Sequence, residues 1–283
     1  MSLKRRFTFK YTVSQPLAVT ACDLLAANTG LSKRVVKDAM AKGAVWLRRA
    51  RRTGGGKSRR LRRASMALRA GDHIELYYDA DLLASSCPLA TCRFNDQHYS
   101  IWYKPAGLLT QGTQFGDACS LLRQAEQAAG PGRPVYPVHR LDREAQGLVL
   151  LAHSSRAAAA LSRLFQDNAV EKRYRVQVLG RPADHARVDT PLDGKSAQTE
   201  YWLCDYDLET NVATLDVAIH SGRLHQIRRH LAGIGHPVMG DPRYGEGNKN
   251  TSGMRLLAAS LSFSCPLSGR PRTFALDAHE LAF

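Results

Sequence analysis

Three patterns of hydrophobic and polar positions run along the chain. Over residues 1–14, Phe7, Phe9, Tyr11 and Val13 alternate with polar partners, the two-residue period of a half-buried strand. Residues 20–42 change to helical spacing in two pieces. Thr20 caps the first and Gly30 breaks it; Ser32 caps the second and Gly43 ends it. The second piece sets Val35, Val36, Ala39 and Met40 on one side and Lys33, Arg34 and Lys37 on the other. Short strands are predicted for AVWL (44–47) and, after the Gly71-Asp72 turn, for HIELYY (73–78). Residues 81–95 read as a polar linker.

The third pattern begins near residue 98, where HYSIWYKPAGLLTQG predicts a strand, a turn at Lys104–Gly107 and an extended segment. A helix is expected over 117–129. The branched-chain run Leu148–Ala152 predicts a buried strand, and SSRAAAALSRLFQDNAV (154–170) a Ser-capped helix. Further strands are predicted over 171–180, with Tyr174, Val176 and Val178 on one face, over 198–203 and over 212–219. His225–Ala232 predicts a helix ended by Gly233 and Gly235. GHPVMGD (235–241) is expected to return to the surface, and 255–269 to finish with a strand and turn. Strands flanked by helices give an α+β class with a mixed, largely antiparallel sheet, preceded by a small α/β domain. The predicted domains are 1–80, a linker at 81–95, and 96–283.

Charge sharpens this division. The 283-residue chain carries a net charge of +15. Residues 1–80 hold 18 basic and 5 acidic side chains, leaving 22 and 20 for the rest. A basic module on a near-neutral domain points to a polyanion, nucleic acid first and an anionic membrane second. Residues 48–63 carry nine basic residues, no acid and three central glycines. That composition predicts a loop without regular structure, contributing salt-dependent affinity for phosphates. No apolar run reaches the ~18–20 residues that span a bilayer, and the N-terminus lacks the apolar core of a signal peptide. The six cysteines form no C-x-x-C pair, which argues against zinc and for reduced thiols in a cytoplasm.

The candidate chemistry centres on PVHRLDREAQGLVLLA (137–152), where Asp142 follows His139, Arg140 and Leu141 on a loop entering a core strand. By itself Asp142 reads better as a turn acid paired with its neighbour arginines, because most acids are solvated surface groups. No phosphate-binding glycine loop or G-x-S-x-G elbow is present. His225 and His230 are five apart and share no helix face, so a metal site there is weaker than simple packing.

Five ordered stretches, YKPAGLLTQG, HRLDREAQGLVLLA, EKRYRVQVLG, SGRLHQIRRHLAGIGHPVMGDPRYG and RLLAASLSFSCPLSG, together resemble the RluA-type pseudouridine synthases. The resemblance covers residues 98–270 and implies uridine isomerisation in RNA without a cofactor. It implies that Asp142 is the required carboxylate, acting as nucleophile or assisting glycosidic cleavage and proton removal at the sugar, with Arg228 its charge partner and Tyr174 the aromatic that stacks on the target base and helps remove its ring proton. It also implies that Arg140, beside His139, fills the space of a flipped base, and that Ile227 and Leu256 wall the pocket. Plain core packing is the rival for those two. Lys104, Arg223 and His225 are expected at substrate or phosphate; turn support or structural salt bridges are their rivals. The chain departs from the family pattern at Ala145, Gln146, Leu224 and Ala258.

The first 80 residues resemble the S-four-like RNA-binding module through Leu24-Leu25, LSKRVVKDAM, KGAVWL and AGDHIEL. That resemblance puts Lys33, Arg34, Lys37, Arg48, Arg49, Arg51, Arg52, Lys57, Arg59 and Arg60 on RNA. The expected protein is a monomer acting on ribosomal RNA in the cytoplasm, with transfer RNA as an alternative substrate. A non-catalytic RNA-binding or ribosome-assembly protein, or a hydrolase using Asp142, are competing readings. The hydrolase lacks a second carboxylate at sensible spacing.

Overall fold

The structure, a computed structural model, describes residues 5–15, 19–50 and 56–283. Its contacts divide it into two compact units, Met1–Cys87 with Gln111–Arg123, and Pro88–Thr110 with Gln124–Phe283. No helix among the described residues is long and apolar enough to cross a membrane.

The first unit contains β1 (Arg6–Thr12), α1 (Ala21–Thr29), α2 (Lys33–Ala41), β2 (Val45–Arg48), β3 (Arg59–Arg60), β4 (His73–Asp79) and α3 (Ala80–Ala84). Its sheet runs β1-β4-β2-β3. Thr20 and Asp23 form the reciprocal capping box of α1, Gly30 takes the left-handed C-cap, and the Ser32 hydroxyl caps α2. Leu24, Leu25, Val36, Ala39 and Met40 then pack with Val45, Ile74 and Leu76 as one core.

Two expectations need correction here. The basic tract 48–63 contains a paired strand, since Trp46 and Leu47 register with Arg60 and Arg59. The guanidinium of Arg60 lies 4.4 Å over the Trp46 ring and 3.0 Å from Asp117, contacts the tract's composition could not reveal. Cys87 and Cys119 are joined in a disulfide across 32 residues of sequence, whereas reduced thiols were expected. Neither cysteine has a short-range partner, so spacing could not show the pairing.

The second unit contains β5 (Thr91–Asn95), β6 (Tyr99–Lys104), the later part of α4 (Leu121–Ala129), β7 (Tyr136–Pro137), β8 (Gln146–Ala152), α5 (Ser155–Gln166), β9 (Glu171–Leu179), β10 (His185–Val188), β11 (Thr199–Asp207), β12 (Val212–Ile219), α6 (Gln226–Gly233), β13 (Leu256–Ser264) and β14 (Pro271–Ala275). One sheet orders them β10-β11-β12-β9-β13-β8-β6-β5, with β14 on β13 and β7 on β8. Only the β8–β13 pair is parallel among the described residues. The class is α+β with a mixed, mostly antiparallel sheet.

The proposed linker 81–95 is not one. Asp79 caps α3, whose Leu83 enters the first core, and Thr91–Asn95 is an edge strand. An edge strand exposed on most positions carries a polar composition that reads as a linker. Helix α4 starts four residues after its predicted start. Residues 117–120 are instead a turn in which the Ser120 hydroxyl donates to Asp117 O at 2.8 Å. Strands β10 and β14 were not predicted.

Gly147 explains how β8 meets β13. Its φ is +114°, and a Cβ there would lie 2.3 Å from the carbonyl oxygen of Ala258. Only glycine allows that approach, and Ala258 also registers with Tyr174 of β9. The crossing thus sets the spacing between the loop before β8 and the side chains of β9.

Candidate active site

Asp142 lies on the loop between β7 and β8, and that loop is stapled from both sides. Lys104, at the end of β6, is fully buried. Its ammonium donates to the carbonyls of Leu108 (2.7 Å) and Ala145 (2.6 Å), with those of Pro105 and Arg143 at 3.1 and 3.3 Å. Burial pushes that ammonium down to about 8, opposed by Glu144 and Asp142. The Thr110 hydroxyl donates to Leu141 O at 2.8 Å and accepts from Leu141 N at 3.1 Å. Gly107 N donates to Arg143 O at 2.7 Å. Lys104 therefore spends its donors on the carbonyls of this loop, in keeping with the turn-support alternative. Thr110 was missed. Nothing in the stretch LLTQG marks this hydroxyl until the fold sets it beside Leu141.

The charge partner comes from α6. Arg228 is buried, and its Nη1 donates to Asp142 Oδ2 at 2.9 Å. Its Nε and Nη2 form a two-point pair with Asp241, at 2.6 and 2.8 Å. Such a fork leaves the guanidinium one orientation. Asp241 Oδ1 also accepts the amides of Arg243 (2.8 Å) and Tyr244 (3.1 Å). Burial raises the Asp241 carboxyl, but the bonds from Arg228 and the two amides outweigh it and hold it below the usual range. Asp241 is fully buried, so the expectation that GHPVMGD returns to the surface is corrected. The Gly-Asp-Pro sequence reads as an exposed turn, and only tertiary packing seats it under Arg228.

The start of α6 is fixed by a polar cluster. The Gln226 side chain accepts from the Ser221 hydroxyl (2.7 Å) and the Arg223 amide (3.0 Å) and donates to Gln198 O (2.8 Å). His230 bonds Thr199 and Thr190 at 2.9 Å each. His225 adopts a left-handed backbone (φ 53°). Its Nδ1 meets the Tyr244 hydroxyl at 2.9 Å, and its Nε2 lies 3.7 Å from Asp142 Oδ1. Burial lowers the imidazole, with Asp142 acting against that, so His225 faces Asp142 as a neutral ring at pH 7.

These residues open on a cavity of about 620 Å³. Tyr174, Ile227 and Leu256, all buried, form part of its wall. Burial first, and Asp142 second, raise the Tyr174 phenol well above its ordinary range. A phenol so held stays protonated, which suits a stacking surface better than a proton acceptor. Arg140 is exposed on the rim and, among the described residues, makes no hydrogen bond or ion pair. Leu224, 56% exposed, stands on the same wall. Arg223 lines the cavity too, although its Nε is engaged with Ser196 O at 2.9 Å.

His139, grouped with Arg140 as a substrate-binding candidate, lines the same cavity and is also tied into the loop. Its ring stacks on Phe165 (4.4 Å) and its Nε2 accepts the Leu150 amide at 3.0 Å. Burial, with Lys172 nearby, takes it down to about 3. A neutral ring in this place braces the loop against β8 while lining the cavity.

In the first unit, Arg34, Lys37, Arg48, Lys57 and Arg59 are exposed and make no ion pair among the described residues. Lys33 pairs with Asp23 at 2.6 Å. Arg49 and Arg60 are paired as well. Arg49 is committed to the buried carboxylate of Asp72 at 2.5 Å and Arg60 to Asp117 and Trp46. Arg51 and Arg52 lie outside the described residues.

The comparisons with known proteins bear on this geometry. A family model described as RNA pseudouridylate synthase matches residues 98–233, a span that includes Asp142, Tyr174 and Arg228. The "Dual-specificity RNA pseudouridine synthase RluA" of Vibrio vulnificus is 31% identical over 230 residues, 72% of this chain and 91% of that protein. The chain belongs to the RluA-type RNA pseudouridine synthases. The "Ribosomal large subunit pseudouridine synthase D" of Zymomonas mobilis is 30% identical over 213 residues, 64% of this chain and 67% of that protein. A solved structure, "Human RNA Pseudouridylate Synthase Domain Containing 1", shares the fold. Its TM-score is 0.58 at 20% identity, covering 68% of this chain and 85% of that one. Within the pseudouridine synthase family match, the Asp142 loop and α6 are both included, whereas Asp241 falls just beyond the matched residues.

Proposed function

We propose that this pseudouridine synthase isomerises uridine in ribosomal RNA with Asp142 as nucleophile. The observation that carries the reading is the Asp142 carboxylate, bonded to a buried arginine that a second carboxylate orients, facing a cavity walled by Tyr174. The carboxylate attacks C1′ of the target ribose, and the bond from C1′ to N1 of uracil breaks. The freed base turns on the face of Tyr174, and its C5 bonds C1′ as the carboxylate departs. The C5 proton passes to solvent water, and N1 takes one from solvent. One carbon–nitrogen bond is exchanged for one carbon–carbon bond, with no net redox change. Arg228 keeps Asp142 ionised near phosphates of like charge. To reach Asp142 the nucleotide must leave its stack. Arg140, exposed on the rim and without an ion pair among the described residues, is positioned to take the vacated space.

The first unit acts as an S-four-like RNA-binding module, with Arg34, Lys37, Arg48, Lys57 and Arg59 as the cations free to meet phosphate. Ribosomal RNA is favoured by the printed name of the Zymomonas relative. The words "dual-specificity" in the Vibrio relative's name keep a second RNA class in view. The test uses RNA labelled with [5-³H]uridine from cells lacking this protein. The wild type should release tritium, while Asp142→Asn should lose at least about 10³-fold in rate yet still bind RNA. Mapping the new pseudouridines identifies the target. Asp142→Asn activity near wild type would remove the nucleophile from this reading.

A further inference from the structure

Lys172 is a buried charge that the proposed chemistry does not use. It precedes Tyr174 by two residues on β9, so the two side chains leave the same face, about 7 Å apart along the strand. Lys172 is 5% exposed and lines the cavity that holds Asp142. It also lines a second cavity of about 570 Å³, which shares Asn168, Lys172 and Ile219 with the first. No carboxylate, carbonyl or hydroxyl among the described residues meets its ammonium; the Phe165 ring, 6.0 Å from Nζ, is the group it faces.

The contrast with the other buried cations of this unit is informative. Lys104 is met by backbone carbonyls and Arg228 by two carboxylates. Burying a cation without a partner is costly, and burial does lower the Lys172 ammonium with no acid offsetting it. Such a group gains its partner when an anion enters the cavity. An RNA strand that delivers one base to Asp142 must carry its backbone out of that cavity, and Lys172 stands where the first cavity meets the second.

We propose that Lys172 binds a backbone phosphate of the RNA beside the nucleotide that enters the Asp142 cavity. The inference rests on the pseudouridine synthase reading of that site. It makes Lys172 a binding residue, supplying one charge-assisted contact on RNA.

The test measures tritium release from the same [5-³H]uridine-labelled RNA at several salt concentrations. Lys172→Met keeps the aliphatic stem and removes the charge. It should raise KM about tenfold, leave the loss on KM rather than kcat, and reduce the slope of log KM against log salt by about 0.7–0.9. Lys172→Arg should restore most of both. If Lys172→Met has the KM and salt slope of the wild type, the inference fails. A fall in kcat that Lys172→Arg does not restore also overturns it, indicating proton transfer or packing instead. If the wild type releases no tritium, the reading of the site itself fails and the inference goes with it.

Discussion

Replacing Asp241 by Asn is the sharpest probe of how this site is built. The exchange is nearly isosteric. An Asn oxygen at the Oδ1 position can still accept from Arg228 Nη2, Arg243 N and Tyr244 N. The Asn nitrogen then takes the Oδ2 position, where it meets the Nε–H of Arg228, now 2.6 Å from an acceptor. One strong bond becomes two facing donors, and a buried guanidinium loses one of its two carboxylates. Breaking a buried pair in this way costs about 3–5 kcal/mol, or about 6–20 °C in Tm at 2–4 °C per kcal/mol. Urea unfolding and thermal melts of the full chain measure it. Activity should fall in kcat more than KM, because Arg228 no longer holds its Nη1 on Asp142. A cycle with Arg228→Met supplies the control. The double variant should be more stable than the sum of the two losses implies, by at least about 2 kcal/mol. Asp241→Asn within about 1 kcal/mol of wild type, with additive losses in the cycle, would refute the buried relay from Asp241 through Arg228 to Asp142.

Other predictions follow from the same geometry. Between pH 6.5 and about 3 the unfolded chain holds a proton on His139 that the folded chain lacks, so stability falls as pH drops through this window. His139→Gln should be less stable at pH 7 but lose on the order of 1 kcal/mol less between pH 7 and pH 5; equal losses in urea titrations would count against the neutral, hydrogen-bonded ring. The depressed Asp241 carboxyl contributes stability present above the unfolded value and lost only as pH falls further, below about 4. Gly147→Ala should lower stability by at least about 2 kcal/mol, because its Cβ would strike the Ala258 backbone; a melt unchanged from wild type would mean β8 and β13 can separate. Arg34→Glu with Lys37→Glu should weaken RNA binding about equally for all sequences and flatten its salt dependence, and unchanged affinity would remove α2 from the RNA surface.

Much of this protein could be read from the chain alone. The periods of two and 3.6, the Thr20, Ser32 and Ser154 caps and the Leu148–Ala152 run located most elements, because such signals act over a few residues. The ordered motifs grouped Asp142, Tyr174 and Arg228, which the fold brings to one cavity, and the charge of the first 80 residues raised the expectation of a polyanion partner. Tertiary structure decided what each buried charge touches. Lys104 and His139 carry the same side chains whether they meet an RNA or the protein's own backbone. Only the fold shows Lys104 on carbonyls and His139 on the Leu150 amide. Asp241 lies 99 residues beyond Asp142 in a turn that looks exposed, yet it is the group that orients Arg228. Cys87 and Cys119, Arg60 and Asp117, and Thr110 and Leu141 likewise meet across long loops. Local pattern fixes where a strand or helix forms because its causes are local. The pairing of a charge or a donor depends on which distant atom the packing delivers, and no short-range period records that.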